Sequence, residues 1–192
     1  MNTLYFDVDG VLFDFNEPFV EFWNSGLVKN YWIGGEFVKN PTTWSFGLDK
    51  EIDNLSQLHK AIREFDKSNY LLPLIDKDIP YILGKLKQKY RIELVTSYPY
   101  VSHRINNLQY HKIPYDKLTC NITNKLDYVS NSENLGYNVV AIFEDAPHHI
   151  DNYLTQYPFK IWVPKEFNYL KHYSTNNQVK LYSTCQEWLT LL

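Results

Sequence analysis

Tyr5-Phe6-Asp7-Val8-Asp9-Gly10-Val11-Leu12-Phe13-Asp14-Phe15 decides how this chain is read. The run from Thr3 to Val8 is short, apolar and β-rich, so it reads as a buried strand. It ends in two aspartates one residue apart, followed by a glycine. Carboxylates brought that close are costly to bury unless something cationic sits between or beside them. A strand entering an ordinary Asp-Gly turn accounts for the spacing without any chemistry. The reading with chemistry is a Mg²⁺ site in which one aspartate is free to attack phosphorus.

Outward from this run the chain changes character twice. Phe15 to Trp23 has helical spacing of Phe19, Val20, Phe22 and Trp23, with Pro18 tolerated in the first turn. Residues 25–46 are irregular. Glu51 to Lys67 reads as a helix with Ile52, Leu55, Leu58, Ile62 and Phe65 on one face, and Asp76 to Tyr90 as another. Strands and helices then alternate. Strands are expected at Arg91–Thr96, Lys117–Cys120, Asn138–Phe143, Phe159–Val163 and Val179–Tyr182. Helices are expected at Tyr100–Tyr110, Leu126–Leu135, Pro147–Gln156 and Glu187–Leu192. This alternation predicts an α/β fold, a Rossmann-like parallel sheet with helices on both faces. Ligands of such sheets bind beyond the carboxyl ends of the strands. Residues 16–75 fall outside the alternation and read as a small helical cap inserted after the first strand, leaving 1–15 and 76–192 as the core.

A length of 192 residues suits one domain with a subdomain. A formal charge of -3 argues against a nucleic-acid polymer as partner. Cys120 and Cys185 are the only cysteines, too few for a disulfide framework. No cleavable leader and no apolar run of membrane-spanning length is read, so a cytoplasmic protein without a membrane partner is expected.

Three further segments sit at expected strand ends. Thr96, then Ser97, closes the strand Ile92–Val95, where a hydroxyl and the backbone N–H groups before the next helix suit phosphate oxygens. A helix cap near Pro99 explains the same residues. Glu144 and Asp145 follow the strand Val139–Phe143, where they suit a cation or simply begin a helix at Pro147. Lys125 starts a helix after the loop Asn121–Asn124; Lys112 and Lys117 compete for the same role. His148 and His149 point about 100° apart on a helix and cannot share a metal.

The run Asp7-Val8-Asp9-Gly10-Val11, with Thr96, Lys125 and Glu144-Asp145, resembles the four motifs of the haloacid dehalogenase (HAD) superfamily, whose members with this aspartate pair are mostly Mg²⁺-dependent phosphatases. The resemblance implies a HAD-like core, Asp7 as nucleophile and Asp9 as general acid/base. It also implies phosphate binding by Thr96, Ser97 and Lys125. Mg²⁺ would be held by Asp7, Asp145, the backbone carbonyl of Asp9 and Glu144, the last directly or through water. Within the superfamily, the stretch Asp7–Phe15, Thr96-Ser97, Glu144–Pro147, Phe167-Asn168 and Trp188 are similar to the 5'(3')-deoxyribonucleotidases. Tyr98 and Glu144 depart from that pattern. This closer resemblance implies a small phosphomonoester, a nucleotide by preference, with Phe15 stacked on its base. A sugar phosphate or other small metabolite is the alternative. Trp44 and Phe46 of the aromatic-rich cap are further substrate-contact candidates, competing with a role in the cap's own core. A homodimer is compatible with this reading.

Overall fold

The computed structural model describes residues 1–25, 52–68 and 71–192. Six strands form one sheet: β1 (Asn2–Phe6), β2 (Arg91–Val95), β3 (Lys117–Thr119), β4 (Asn138–Phe143), β5 (Ile161–Pro164) and β6 (Val179–Tyr182). Every pairing is parallel, in the order β3-β2-β1-β4-β5-β6. The expected fold class is the observed one.

The helices are α1 (Asn16–Asn24), α2 (Ile52–Lys67), α3 (Ile79–Leu86), α4 (Val101–Tyr110), α5 (Lys125–Asn134) and α6 (Pro147–Leu154). Two 3₁₀ segments, Asn168–Thr175 and Cys185–Leu191, complete the described chain. The second stands where a closing helix was expected; the first had no sequence signal assigned to it. The expected helix from Asp76 to Tyr90 is shorter at both ends. Asp76 instead forms a turn ahead of the helix, its Oδ1 accepting the N–H of Asp78 at 3.0 Å, Asp78 is the N-cap, and the helix stops before Tyr90.

Alternation along each strand sends side chains to two separate cores. Leu4, Phe6, Ile92, Leu94, Ala141 and Phe143 face one layer with α3, Trp188 and Leu108 of α4. Tyr5, Val95, Val139, Ile142, Ile161 and Val163 face the other, against Val129 of α5 and Ile150 and Tyr153 of α6. Phe6 and Phe143 stack across the central strands with ring centroids 4.1 Å apart, and Trp188 closes on both at 5.2 and 5.0 Å. Aromatic contacts of this kind add about 0.5–1.5 kcal/mol each beyond area burial.

The insertion after β1 leaves and re-enters the core by one paired stem. Asp14 N–H donates to the Pro73 carbonyl and Ile75 N–H to the Leu12 carbonyl, both at 3.0 Å. Phe19, Val20, Ala61 and Phe65 of α1 and α2 belong to the same apolar cluster as β1 and α3. The described part of the insertion therefore packs continuously with the first core.

Candidate active site

Strand order reverses between β1 and β4: β2 and β3 lie to one side, β5 and β6 to the other. Adjacent strands diverge in their connections there, leaving a crevice at their carboxyl ends. Asp7 is the first residue beyond β1, and its N–H still donates to the Phe143 carbonyl at 2.9 Å, in ladder fashion. Glu144 and Asp145 are the first residues beyond β4. Two neighbouring strands thus deliver three carboxylates to one spot.

Asp7, Glu144 and Asp145 are all buried, each offering an oxygen within 4.8 Å of the others. Lys125, 2% exposed, places Nζ 2.9 Å from Asp7 Oδ1 and 2.9 Å from Glu144 Oε2. Lys125 opens α5 because Asn124 caps that helix, its side chain accepting the Asp127 N–H at 3.3 Å. The loop before it is strapped to β2, Ile122 N–H donating to the Thr96 carbonyl at 3.1 Å. The two competing lysines are exposed, Lys117 lying over the Tyr128 ring.

One ammonium does not balance three carboxylates. Burial, then repulsion from Glu144, pushes Asp7 up to about 6 despite the pull of Lys125. Burial, then repulsion from Asp7 and Glu144, holds Asp145 well above the ordinary carboxylate range. Burial alone would lower the Lys125 pKa, but Asp7 and Glu144 outweigh it and raise it. A buried all-oxygen set short of positive charge fits a hard divalent cation such as Mg²⁺.

The backbone is shaped to permit this approach. Gly10 has φ +78°, and a Cβ there would lie 2.1 Å from Asp145 Oδ2. Only a residue without a side chain allows the Asp9-Gly10 turn and Asp145 to occupy adjacent space. Asp145 Oδ2 also accepts the Tyr169 hydroxyl at 2.9 Å. Glu144 Oε1 is held by the N–H groups of Asp145 and Ala146 at 3.2 and 3.0 Å.

Asp9 stands apart from the cluster. Its carboxylate takes Arg104 Nη2 at 2.6 Å. Its pKa is raised by burial, against the opposing pull of Arg104. Thr96 is buried beside the end of β2, and its Oγ1 accepts the Tyr98 N–H at 3.1 Å. Ser97 is exposed, donates to the Ile122 carbonyl at 2.8 Å and lies 3.3 Å from His149 Nε2. His149 is kept neutral, its pKa lowered to about 3 by burial and by Lys125.

Phe15 lies in an aromatic cluster with Phe19 and Phe65, each ring centroid 5.4 Å away. It also lines a small cavity with Asp66, Tyr98, His103 and Arg104. Trp44 and Phe46 lie outside the described residues. Arg104 and Tyr169 were not singled out from the sequence, and His149 was weighed there only as a metal ligand. Arg104 belongs to the buried stripe Arg104, Asn107, Leu108 of α4, where a charged residue is unexpected.

No family model and no curated protein matches the sequence. Solved structures match over nearly the whole chain. A predicted phosphoglycolate phosphatase from Haemophilus somnus aligns at TM-score 0.68 and 13% identity, covering 98% of this chain and 96% of its own. A HAD-superfamily hydrolase of subfamily IA from Geobacter sulfurreducens aligns at TM-score 0.63 and 12% identity, covering 100% and 96%. A phosphoserine phosphohydrolase-like protein from Francisella tularensis aligns at TM-score 0.62 and 16% identity, covering 100% of both. At such identities the likeness is one of fold: this chain is built on the HAD-like α/β fold, with its buried carboxylate cluster at the point where strand order reverses.

Proposed function

We propose that the protein is a Mg²⁺-dependent phosphomonoesterase that hydrolyses a small phosphorylated metabolite, a sugar phosphate or similar ester, through an aspartyl-phosphate. The observation that carries this reading is the union of Asp7, Lys125, Glu144 and Asp145 in one buried cluster at the carboxyl edge of the sheet. A pure binding site has no need of a further carboxylic acid beside such a cluster, and Asp9 is one. The phosphatases among the structural neighbours support the same class.

Asp7 Oδ1 is occupied by the Val8 N–H at 2.7 Å and by Lys125 at 2.9 Å. That leaves Oδ2 to attack phosphorus in line, forming the acyl-phosphate while the P–O bond to the leaving group breaks. Lys125 stays beside the nucleophile, offsetting its repulsion of the phosphate and orienting it. Asp9 gives its proton to the departing oxygen, then takes one from the water that cleaves the acyl-phosphate. Thr96 and Ser97 border the position of the phosphate at the end of β2. Asp7, Asp145 and Glu144 are the residues that would hold Mg²⁺, which when bound supplies positive charge to the phosphate oxygens.

A nucleoside monophosphate is the second reading. It rests on the motif resemblance and on Phe15, whose ring lines the cavity that holds Arg104. Phosphate release from sugar phosphates and nucleoside monophosphates, with Mg²⁺ or EDTA and with Asp7→Asn as control, tests both. Mg²⁺-dependent release from sugar phosphates, lost in Asp7→Asn, is the expected result. A preference for nucleotides installs the second reading. No release above the Asp7→Asn control from any ester sinks the enzymatic reading.

A further inference from the structure

Arg104 is the largest unexplained investment near the cluster. It is 2% exposed, and a buried guanidinium is tolerated only when it is paired and hydrogen-bonded. It is ion-paired with Asp9, Nη2 to Oδ1 at 2.6 Å. Its plane rests on the Tyr98 ring, the guanidinium carbon 3.7 Å from the centroid. The ring is pinned in turn: the Tyr98 hydroxyl lies 3.1 Å from His103 Nδ1 and hydrogen-bonds Asp66 of α2. Arg104 therefore has little freedom to turn, and its Nη2 points at one oxygen of one carboxyl group.

We propose that Arg104 is a positioning residue that fixes the rotation of Asp9 and reserves its Oδ2 for proton exchange with the leaving group. The reasoning rests on the function proposed above and deepens it. An oxygen facing an N–H donor at 2.6 Å can only accept. A proton on Asp9 therefore sits on Oδ2, not on Oδ1. The Asp9 side chain keeps 24% of its surface exposed while Arg104 keeps 3%, so Asp9 retains an access that the guanidinium lacks. When the phosphate ester breaks, that proton moves from Oδ2 to the departing oxygen, and the resulting carboxylate remains paired with Arg104. Without Arg104 the carboxyl rotates freely and presents either oxygen, or turns toward solvent.

The test compares esters that need a proton with esters that do not. p-Nitrophenolate departs as a stable anion, whereas an alkoxide does not. Arg104→Ala is expected to slow acyl-phosphate formation from glycerol 2-phosphate, read in single-turnover quench, by about 10–100-fold, within the range that general acid catalysis contributes. Its burst of p-nitrophenolate, which reads formation of the acyl-phosphate alone, should slow by no more than about 3-fold, since that ester leans little on the acid. Guanidinium ion at sub-denaturing concentration should restore part of the loss on the alkyl ester alone. Arg104→Lys, which keeps a buried cation, should show the same ester pattern with a smaller loss; it serves also if Arg104→Ala does not fold. An equal slowing of acyl-phosphate formation from both esters overturns the proposal, as does a rise in KM with kcat unchanged, which would make Arg104 a substrate-binding residue. Wild-type protein without Mg²⁺-dependent turnover of either ester refutes the phosphatase reading itself and is told apart from both.

Discussion

Gly10→Ala is the substitution whose consequence can be worked most directly from the coordinates. A methyl group at position 10 would stand 2.1 Å from Asp145 Oδ2 and 2.3 Å from its Cγ. Real Cβ atoms do not come closer than 3.0 Å, so the carboxyl group must retreat by 3.0 − 2.1 = 0.9 Å. That retreat stretches the bond from the Tyr169 hydroxyl, now 2.9 Å, which is worth about 1.5–3 kcal/mol as a bond to a charged group. The φ of +78° adds about 1–2 kcal/mol for any L side chain. A destabilisation of about 2–4 kcal/mol follows if part of the hydrogen bond survives. A displacement near 1 Å at a reacting centre costs on the order of 100-fold in rate. Urea unfolding in EDTA reads the first effect, and a Mg²⁺ titration of phosphate release reads the second. Gly84→Ala is the matched control: Gly84 lies in α3 with nothing within 4 Å of its Cβ position, so it should stabilise by about 0.5–1 kcal/mol. Wild-type stability and Mg²⁺ response in Gly10→Ala would refute the reasoning.

Lys125→Met leaves Asp7 and Glu144 facing each other in a buried site; urea unfolding in EDTA should show a loss of about 3–5 kcal/mol, with part of it returned by Mg²⁺. Asp66 is raised from 3.8 to about 6, first by burial, so the fold favours its protonated form. That contribution is complete below pH 3.8 and is lost as pH rises through about 6. Asp66→Asn should therefore match wild type near pH 4 and exceed it by up to about 3 kcal/mol at pH 8 in denaturant unfolding, and a constant difference across pH would contradict the assignment. Tyr169→Phe removes the hydroxyl that orients Asp145; half-saturation by Mg²⁺ should rise by about 10–100-fold, and urea unfolding in EDTA should show a loss of about 1.5–3 kcal/mol. Trp188→Ala empties the wedge against Phe6 and Phe143 and should cost about 3–5 kcal/mol by denaturant unfolding while the Mg²⁺ response of the folded fraction stays near wild type.

The sheet was legible because its central strands are buried on both faces and so read as short unbroken apolar runs. Asp7, Glu144 and Asp145 were legible because each follows directly on such a run, and strand ends are where a parallel sheet exposes its crevice. Lys125 was separable from Lys112 and Lys117 only by its loop-then-helix context. The long-range partners left no local mark. Arg104 meets Asp9 across 95 residues and Tyr169 meets Asp145 across 24, and neither lies at a strand end. The 3₁₀ segment Asn168–Thr175 escaped because its spacing matches neither the helical nor the strand period. Helix limits such as those of α3 depended on the turn that Asp76 makes with the Asp78 N–H, a side-chain choice that apolar periodicity does not register.

The position of β1 has a consequence for synthesis. Phe6 pairs with Leu94 on one side and Phe143 on the other, separations of 94 − 6 = 88 and 143 − 6 = 137 residues. The middle strand of the sheet is translated first, and its two neighbours follow far behind. At ribosomal speeds of about 5–20 residues per second, Leu4, Tyr5 and Phe6 wait roughly 7 to 28 s for β4. During that interval an apolar strand has both edges open, the condition under which nascent chains cross-pair and recruit chaperones. Because Asp7 follows directly on β1, its surroundings are assembled only after β4 and the Glu144-Asp145 pair have emerged, and maturation of the site is tied to that late stage of folding.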